Sequence, residues 1–169
     1  MNLAVKKLDV HPSDLDLIFF SMNGSDDDLV RWWFGIGVSH ICVCVMINEV
    51  AYVIETDIKY GTRIVPFADK LKSLTSRNSC DIIGIRKYKG VCEVDKCEID
   101  FILKHKSFDR WYILKRLLGK KCDDCCGIVQ SFLEEMCHIK FEKNMDLRDF
   151  IFDAKNLYEE ISYFSFWLE

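Results

Sequence analysis

Residues 39–56 contain the sequence feature that most restricts the fold of this chain. The runs SHICVCVMI (39–47) and VAYVIET (50–56) are apolar and rich in β-branched residues, and only Asn48 and Glu49 separate them. Two such runs with a two-residue connection are typical of a β-hairpin. Because both faces of both strands are largely apolar, we expect the hairpin at the centre of a sheet that is covered on both sides.

Further strands and helices are predicted on either side of this hairpin. Strand-like runs lie at 14–20, 61–66, 80–86 and 163–168, and helices are expected at 29–37, 94–105, 109–119, 125–138 and 145–160. Strands therefore dominate the first half and helices the second, which favours an α+β fold with a mostly antiparallel central sheet. Since half of the 169 residues are apolar, we expect a single domain over residues 1–169 with a substantial core.

Charge and hydropathy exclude several classes of partner. The net charge of −4 gives no drive toward nucleic acid, whose binding proteins usually carry a basic face. The N-terminal segment MNLAVKKLDVHPSD lacks the apolar core of a signal peptide, and no apolar run approaches the roughly 20 residues of a membrane span. We therefore expect a cytoplasmic protein with no transmembrane span.

The hairpin brings His40 and Glu55 to one face of the sheet. If the turn is 48–49, Cys42 lies opposite Glu55 and His40 lies one diagonal step away; if it is 47–48, His40 and Glu55 are directly opposed. In both registers their Cβ atoms would be about 4.5–8 Å apart. An imidazole beside a carboxylate can act as a base held in one tautomer, although polar residues at strand ends more often face solvent.

Four of the nine cysteines lie close together, three of them in KKCDDCCGIVQSF (120–132). Cys122-x-x-Cys125 has the spacing of half a zinc site, for which Cys137 and His138 would supply the other half. The same spacing occurs in thioredoxin-like redox pairs, which follow a strand in a βαβ unit. Without a secretion signal a disulfide framework is not expected, and a free cysteine most often serves as a small buried hydrophobe.

A single nucleophile is the third interpretation of the cluster. The aspartates at 123–124 offer a cap, so a helix is predicted to begin at Cys125 or Cys126. Unpaired N–H groups and the positive end of the dipole stabilise a thiolate there. Cys126 is expected to face the sheet, within reach of His40, because it shares an apolar stripe with Val129, Leu133 and Met136. The same stripe also describes an ordinary core residue.

An ordered set of segments resembles a known enzyme family. These segments are DLIFF (16–20), SHICVCV (39–45), VIETDIKYGTRIVPFADKL (53–71) and CCGIVQSFLEEM (125–136). Together they resemble the permuted NlpC/P60 group of papain-like cysteine enzymes, most closely its poxvirus members, over roughly residues 14 to 140. TRIVPF following IET is the most specific part of the resemblance.

The resemblance implies a circularly permuted papain-like fold, in which the sheet packs against a C-terminal helix that carries the nucleophile. It implies Cys126 as the nucleophile, His40 as the general base and Glu55 as the residue that orients the base. The expected activity is that of a thiol-dependent amidase, acyltransferase or hydrolase acting on a lipid or peptide amide or ester through an acyl-enzyme, without a cofactor or metal.

Two aromatic residues before the hairpin, Trp32 and Trp33, are candidates for an apolar acyl pocket, and core packing explains them equally well. Two functions without catalysis remain open. One is a catalytically silent binding module of the same fold, and the other is a zinc-stabilised interaction protein. The sequence identifies no protein partner.

Overall fold

The computed structural model describes residues 11–22, 37–57, 60–76, 80–90, 101, 104–105 and 124–165. Within these ranges, no helix has both the length and the apolar character needed to cross a membrane. The predicted helix 109–119 lies outside the described residues, as do nearly all of 29–37 and most of 94–105.

The centre of the protein is a six-stranded sheet in the order β4-β3-β2-β1-β5-β6. Its strands are β1 (Leu17–Met22), β2 (His40–Ile47), β3 (Val50–Asp57), β4 (Gly61–Pro66), β5 (Cys80–Arg86) and β6 (Ser162–Ser165). All five strand pairings are antiparallel. The predicted α+β class with an antiparallel central sheet is therefore confirmed.

The β2–β3 hairpin turns at Asn48 and Glu49, as one of the two predicted registers requires. Ile47 pairs with Val50 across the turn, and both turn residues have positive φ, 48° at Asn48 and 64° at Glu49. Positive φ at both central positions is the signature of a type I′ turn, whose twist matches that of the paired strands. This register places His40, Cys42 and Glu55 on one face of the sheet.

In the described part of the chain, three α-helices have defined bounds: α1 (Phe67–Ser76), α2 (Cys125–Met136) and α3 (Leu147–Phe152). A short 3₁₀ helix follows at Ala154–Asn156. The helix predicted at 125–138 is α2, and α3 with the 3₁₀ turn replaces the longer helix considered at 145–160. α1 is not among the predicted elements, because its short amphipathic pattern directly continues a strand.

Each face of the sheet carries its own apolar core. On one face the larger core combines Ile41, Val43 and Ile54 with α2 residues such as Val129 and Phe132. A smaller core on the other face is formed by Ile18, Phe20, Cys42, Cys44, Val53 and Ile85 with Phe67 and Leu74 of α1. Burial on both faces explains why the hairpin strands are apolar throughout, and it confirms their central place in the sheet.

Candidate functional site

The structure brings His40 and Glu55 into direct contact. The Nε2 atom of His40 lies 3.2 Å from Oε2 of Glu55, and the two side chains are 12% and 0% exposed. Phe20 lies opposite His40 on β1, and its ring stacks on the imidazole with 6.3 Å between centroids. His40 is thus fixed by a carboxylate on one side and by an aromatic ring on another.

Glu55 is held by two further cations that the sequence analysis does not include. Arg63, its direct partner in the β3–β4 register, donates to Oε1 from Nε at 3.0 Å and from Nη2 at 2.7 Å. Lys70 of α1 donates to Oε2 at 2.5 Å. Burial acts to raise the pKa of Glu55, but His40 and Lys70 outweigh it and hold this pKa well below its usual range. The carboxylate is therefore ionised at neutral pH.

Cys42 completes the buried side of the site. Its Sγ lies 3.7 Å from Oε2 of Glu55. Burial raises the pKa of the Cys42 thiol, and the nearby Glu55 charge acts in the same direction, although His40 opposes both. Cys42 is therefore a weaker acid than an ordinary exposed thiol, and it lies directly beside the His40–Glu55 pair.

The cysteine doublet stands at the first turn of α2. Asp124 is the N-cap, and its side chain accepts a hydrogen bond from the Gly127 N–H at 2.7 Å. Cys126 is 3% exposed and belongs to the core beneath the sheet. Cys125 is partly exposed, and its thiol hydrogen-bonds with His40.

These contacts favour Cys125 over the predicted Cys126 as the nucleophile. The predicted stripe is present, and it directs Cys126 into the core with Val129 and Leu133. Successive helical residues point about 100° apart. The preceding residue, Cys125, is therefore directed toward the N-terminal end of β2, where His40 lies. Cys126 as the nucleophile stays a prediction, and the contact of Cys125 with His40 adds Cys125 as a candidate.

The surroundings of Cys125 favour its thiolate. The Cys126 thiol, 4.0 Å away between sulfurs, and His40 together lower the pKa of Cys125 to about 5, against the opposing effects of burial and of Asp124. For His40, burial acts to lower the pKa, but Cys42, Cys125 and Glu55 raise it well above its usual value. These opposite shifts favour a thiolate on Cys125 beside a protonated His40 at neutral pH.

Comparisons with known proteins support the fold alone. No family model matches the sequence, and no curated protein matches it significantly. Among solved structures, the chain is similar to one described as the crystal structure of metalloprotein yiiX from Escherichia coli O157:H7, DUF1105. The TM-score is 0.56 at 15% identity, and the match covers 77% of this chain and 69% of that one. The resemblance to NlpC/P60 enzymes stays a prediction.

Two of the four ligands considered for a zinc site with Cys122 and His138, namely Cys125 and Cys137, lie at opposite ends of one helix. Cys125 begins the 12-residue helix α2, and Cys137 is the C-cap at its other end. A helix of this length separates the two by about 18 Å, too far to share one ion. Cys122 lies outside the described residues.

Among the described residues, one group resembles a metal site: donor atoms of His40, Cys42 and Glu55 lie within 4.8 Å of one another. Arg63 and Lys70 already form ion pairs with the Glu55 carboxylate. A divalent ion would have to displace or tolerate two fixed positive charges there. We therefore assign no metal ligand in this group.

The remaining predicted residues, Trp32 and Trp33, lie outside the described residues. Of the groups that sequence reasoning missed, Arg63 has a usable signal, because it follows from extending the register of the hairpin to the next strand. Lys70 has none, since its approach to Glu55 depends on how α1 folds back over the sheet.

Proposed function

We propose that this protein is a thiol-dependent amidase, acyltransferase or hydrolase of the permuted papain-like type, with Cys125 as nucleophile, His40 as general base and Glu55 as the orienting carboxylate. One observation carries the proposal: a cysteine at a helix start hydrogen-bonds with a histidine that is itself fixed by a buried, ionised carboxylate. This is the relation between nucleophile, base and orienting group that covalent acyl transfer requires.

In the first half of the reaction, His40 holds the proton of Cys125 and leaves the thiolate to attack the carbonyl carbon of an amide or ester. The Gly127 N–H is already bonded to Asp124, so the helix dipole and the N–H of Cys125 would stabilise the oxyanion. When the tetrahedral intermediate collapses, the bond to the leaving amine or alcohol breaks, His40 returns the proton to it, and a thioester on Cys125 remains.

In the second half, His40 takes a proton from water or from another acceptor, which attacks the thioester. The products are the acid or the transferred acyl group, together with regenerated Cys125. The buried Glu55 is suited to keep one imidazole nitrogen directed toward itself and the other toward the thiol throughout. For a relative of viral enzymes, lipid or protein amides and esters are the favoured substrate classes.

The test is an acylation panel of lipid-like esters and peptide amides, read by mass spectrometry of the intact protein. Wild type, Cys125→Ser and Cys126→Ser form the matched set. We expect a thioester adduct on wild type, none on Cys125→Ser, and an adduct with altered pH dependence on Cys126→Ser. The opposite pattern would make Cys126 the nucleophile, and no adduct on any protein would favour the silent binding module.

The alternative hypothesis, a zinc-stabilised interaction protein, predicts a different result in the same preparation. It requires stoichiometric zinc, measured by elemental analysis, that is lost when Cys122 is replaced by serine. The acyl-transfer proposal predicts that acylation persists after treatment with a chelator.

A further inference from the structure

Glu55 accepts from more cations than a histidine-orienting carboxylate needs. Arg63 binds Oε1, while Lys70 and His40 share Oε2. Lys70 is 8% exposed, and Arg63 is about one-third exposed at its side chain. Two permanent positive charges therefore act on one negative charge before His40 is counted.

We propose that Lys70 and Arg63 are positioning residues that partly neutralise Glu55 and so weaken its stabilisation of protonated His40. The inference deepens the proposed function, on which it rests for the role of His40 as the base. An acid–base catalyst works best when its proton is not held too tightly at the operating pH. Without these two cations, the Glu55 carboxylate would hold the imidazolium proton more tightly and slow its transfer to the leaving group.

Lys70 and His40 share two neighbours, the Oε2 atom of Glu55 and the ring of Phe20. Both side chains contact Oε2 of Glu55, at 2.5 Å and 3.2 Å, so their nitrogens are separated by about 6 Å or less. The Lys70 ammonium also lies 5.6 Å from the centroid of the Phe20 ring, and the same ring stacks on His40. Lys70 is therefore fixed relative to His40, and its charge acts at a constant distance.

The other described groups that act on His40 are separate from this pair of cations. They come from β2, β3 and α2, and they are Cys42, Glu55, Cys125 and, beside Cys125, Asp124. Substitution of Lys70 changes none of these residues. A change in the titration of His40 therefore reports the loss of the lysine charge.

The experiment is an NMR titration of the His40 ring in the full chain, assigned with His40→Gln. The variants are Lys70→Met, Lys70→Arg and, as a control for net charge on the same helix, the exposed Lys72→Met. A unit charge about 6 Å away, at an effective dielectric constant of about 20, shifts a protonation midpoint by about 2 pH units. We expect that rise in Lys70→Met and no such rise in the other two.

Arg63→Gln is the second variant, and it keeps the inference testable if Lys70→Met fails to fold. Because Arg63 is partly exposed and contacts the other oxygen, we expect a rise of the same sign and smaller size. An unchanged or lowered His40 midpoint in a folded variant of Lys70 or Arg63 would overturn the inference. The titration needs no turnover, so an inactive Cys125 would remove the proposed function and leave this result interpretable.

Discussion

The lowered pKa of Cys125 leads to a quantitative prediction of its reactivity in mild acid. With a pKa of about 5, about nine-tenths of Cys125 is thiolate near pH 6, against about one part in a thousand for a thiol at the ordinary value of 9.0. Thiolates of low pKa are intrinsically weaker nucleophiles, which lowers the rate by about 40- to 100-fold over a difference of about four units in thiol pKa. We therefore expect thiol–disulfide exchange at Cys125 to be about 10- to 20-fold faster than at an ordinary exposed thiol.

The assay is stopped-flow exchange with an aromatic dipyridyl disulfide near pH 6, compared with glutathione. Adjacent cysteines are hard to separate by peptide mapping, so the rapid phase is assigned with Cys125→Ser and Cys126→Ser. We expect one equivalent of rapid reaction in wild type and none in Cys125→Ser. His40→Gln should slow the rapid phase, because it removes the imidazolium that stabilises the thiolate. Cys44 should not contribute, since burial raises its pKa to about 12.

Two results would refute this reasoning. One is a rapid phase that survives Cys125→Ser and disappears in Cys126→Ser. The other is a wild-type rate near pH 6 no greater than that of glutathione, with no dependence on His40.

Three further predictions concern the stability of the fold. Glu55→Gln should lower the free energy of unfolding at neutral pH by about 3 kcal/mol, because it leaves two cations beside a neutral amide. The folded-state pKa of Glu55 lies below its unfolded value near 4.5, so the stability that the Glu55 charge contributes is present above pH 4.5 and lost as the pH falls further. A difference between the melting temperatures of wild type and Glu55→Gln that does not narrow in acid would contradict this prediction. Phe132→Ala, at a fully buried site, should lower the free energy of unfolding in urea by about 3–5 kcal/mol. As a control, Phe152→Ala at a half-exposed site should lower it by under about 0.5 kcal/mol. Equal losses in the two variants would show that the α2 core is misassigned. Glu49→Gly should raise the free energy of unfolding by about 0.5–1 kcal/mol, because glycine adopts the observed φ of 64° without strain. Asn48 is left unchanged because asparagine is already favourable at the first position of this turn. A lower melting temperature in Glu49→Gly would argue against the type I′ turn.

Much of the sheet could be predicted because strand signals are local. Each predicted strand between residues 14 and 86 appears in the structure, with small shifts of its ends. The two-residue separation at Asn48 and Glu49 also restricted the hairpin to registers that put His40 and Glu55 on one face. The contact at 3.2 Å follows from that parity.

The contact between Cys125 and His40 could not be predicted from the sequence pattern. An apolar stripe reports which side of a helix is buried, and Cys126 lies on it as predicted. It does not report where the helix start lies along the neighbouring strand. Cys125 meets His40 because α2 begins beside the end of β2, which is a fact of packing.

The sequence by itself determined the antiparallel hairpin, the shared face of His40 and Glu55, and a helix that begins at the cysteine doublet. Each of these follows from backbone periodicity and from chain connections of only a few residues. Only the tertiary structure showed that Cys125 contacts His40 and that Lys70 reaches Glu55. Those contacts join segments that are distant along the chain, and their geometry is set by the packing of α1 and α2 on opposite faces of the sheet.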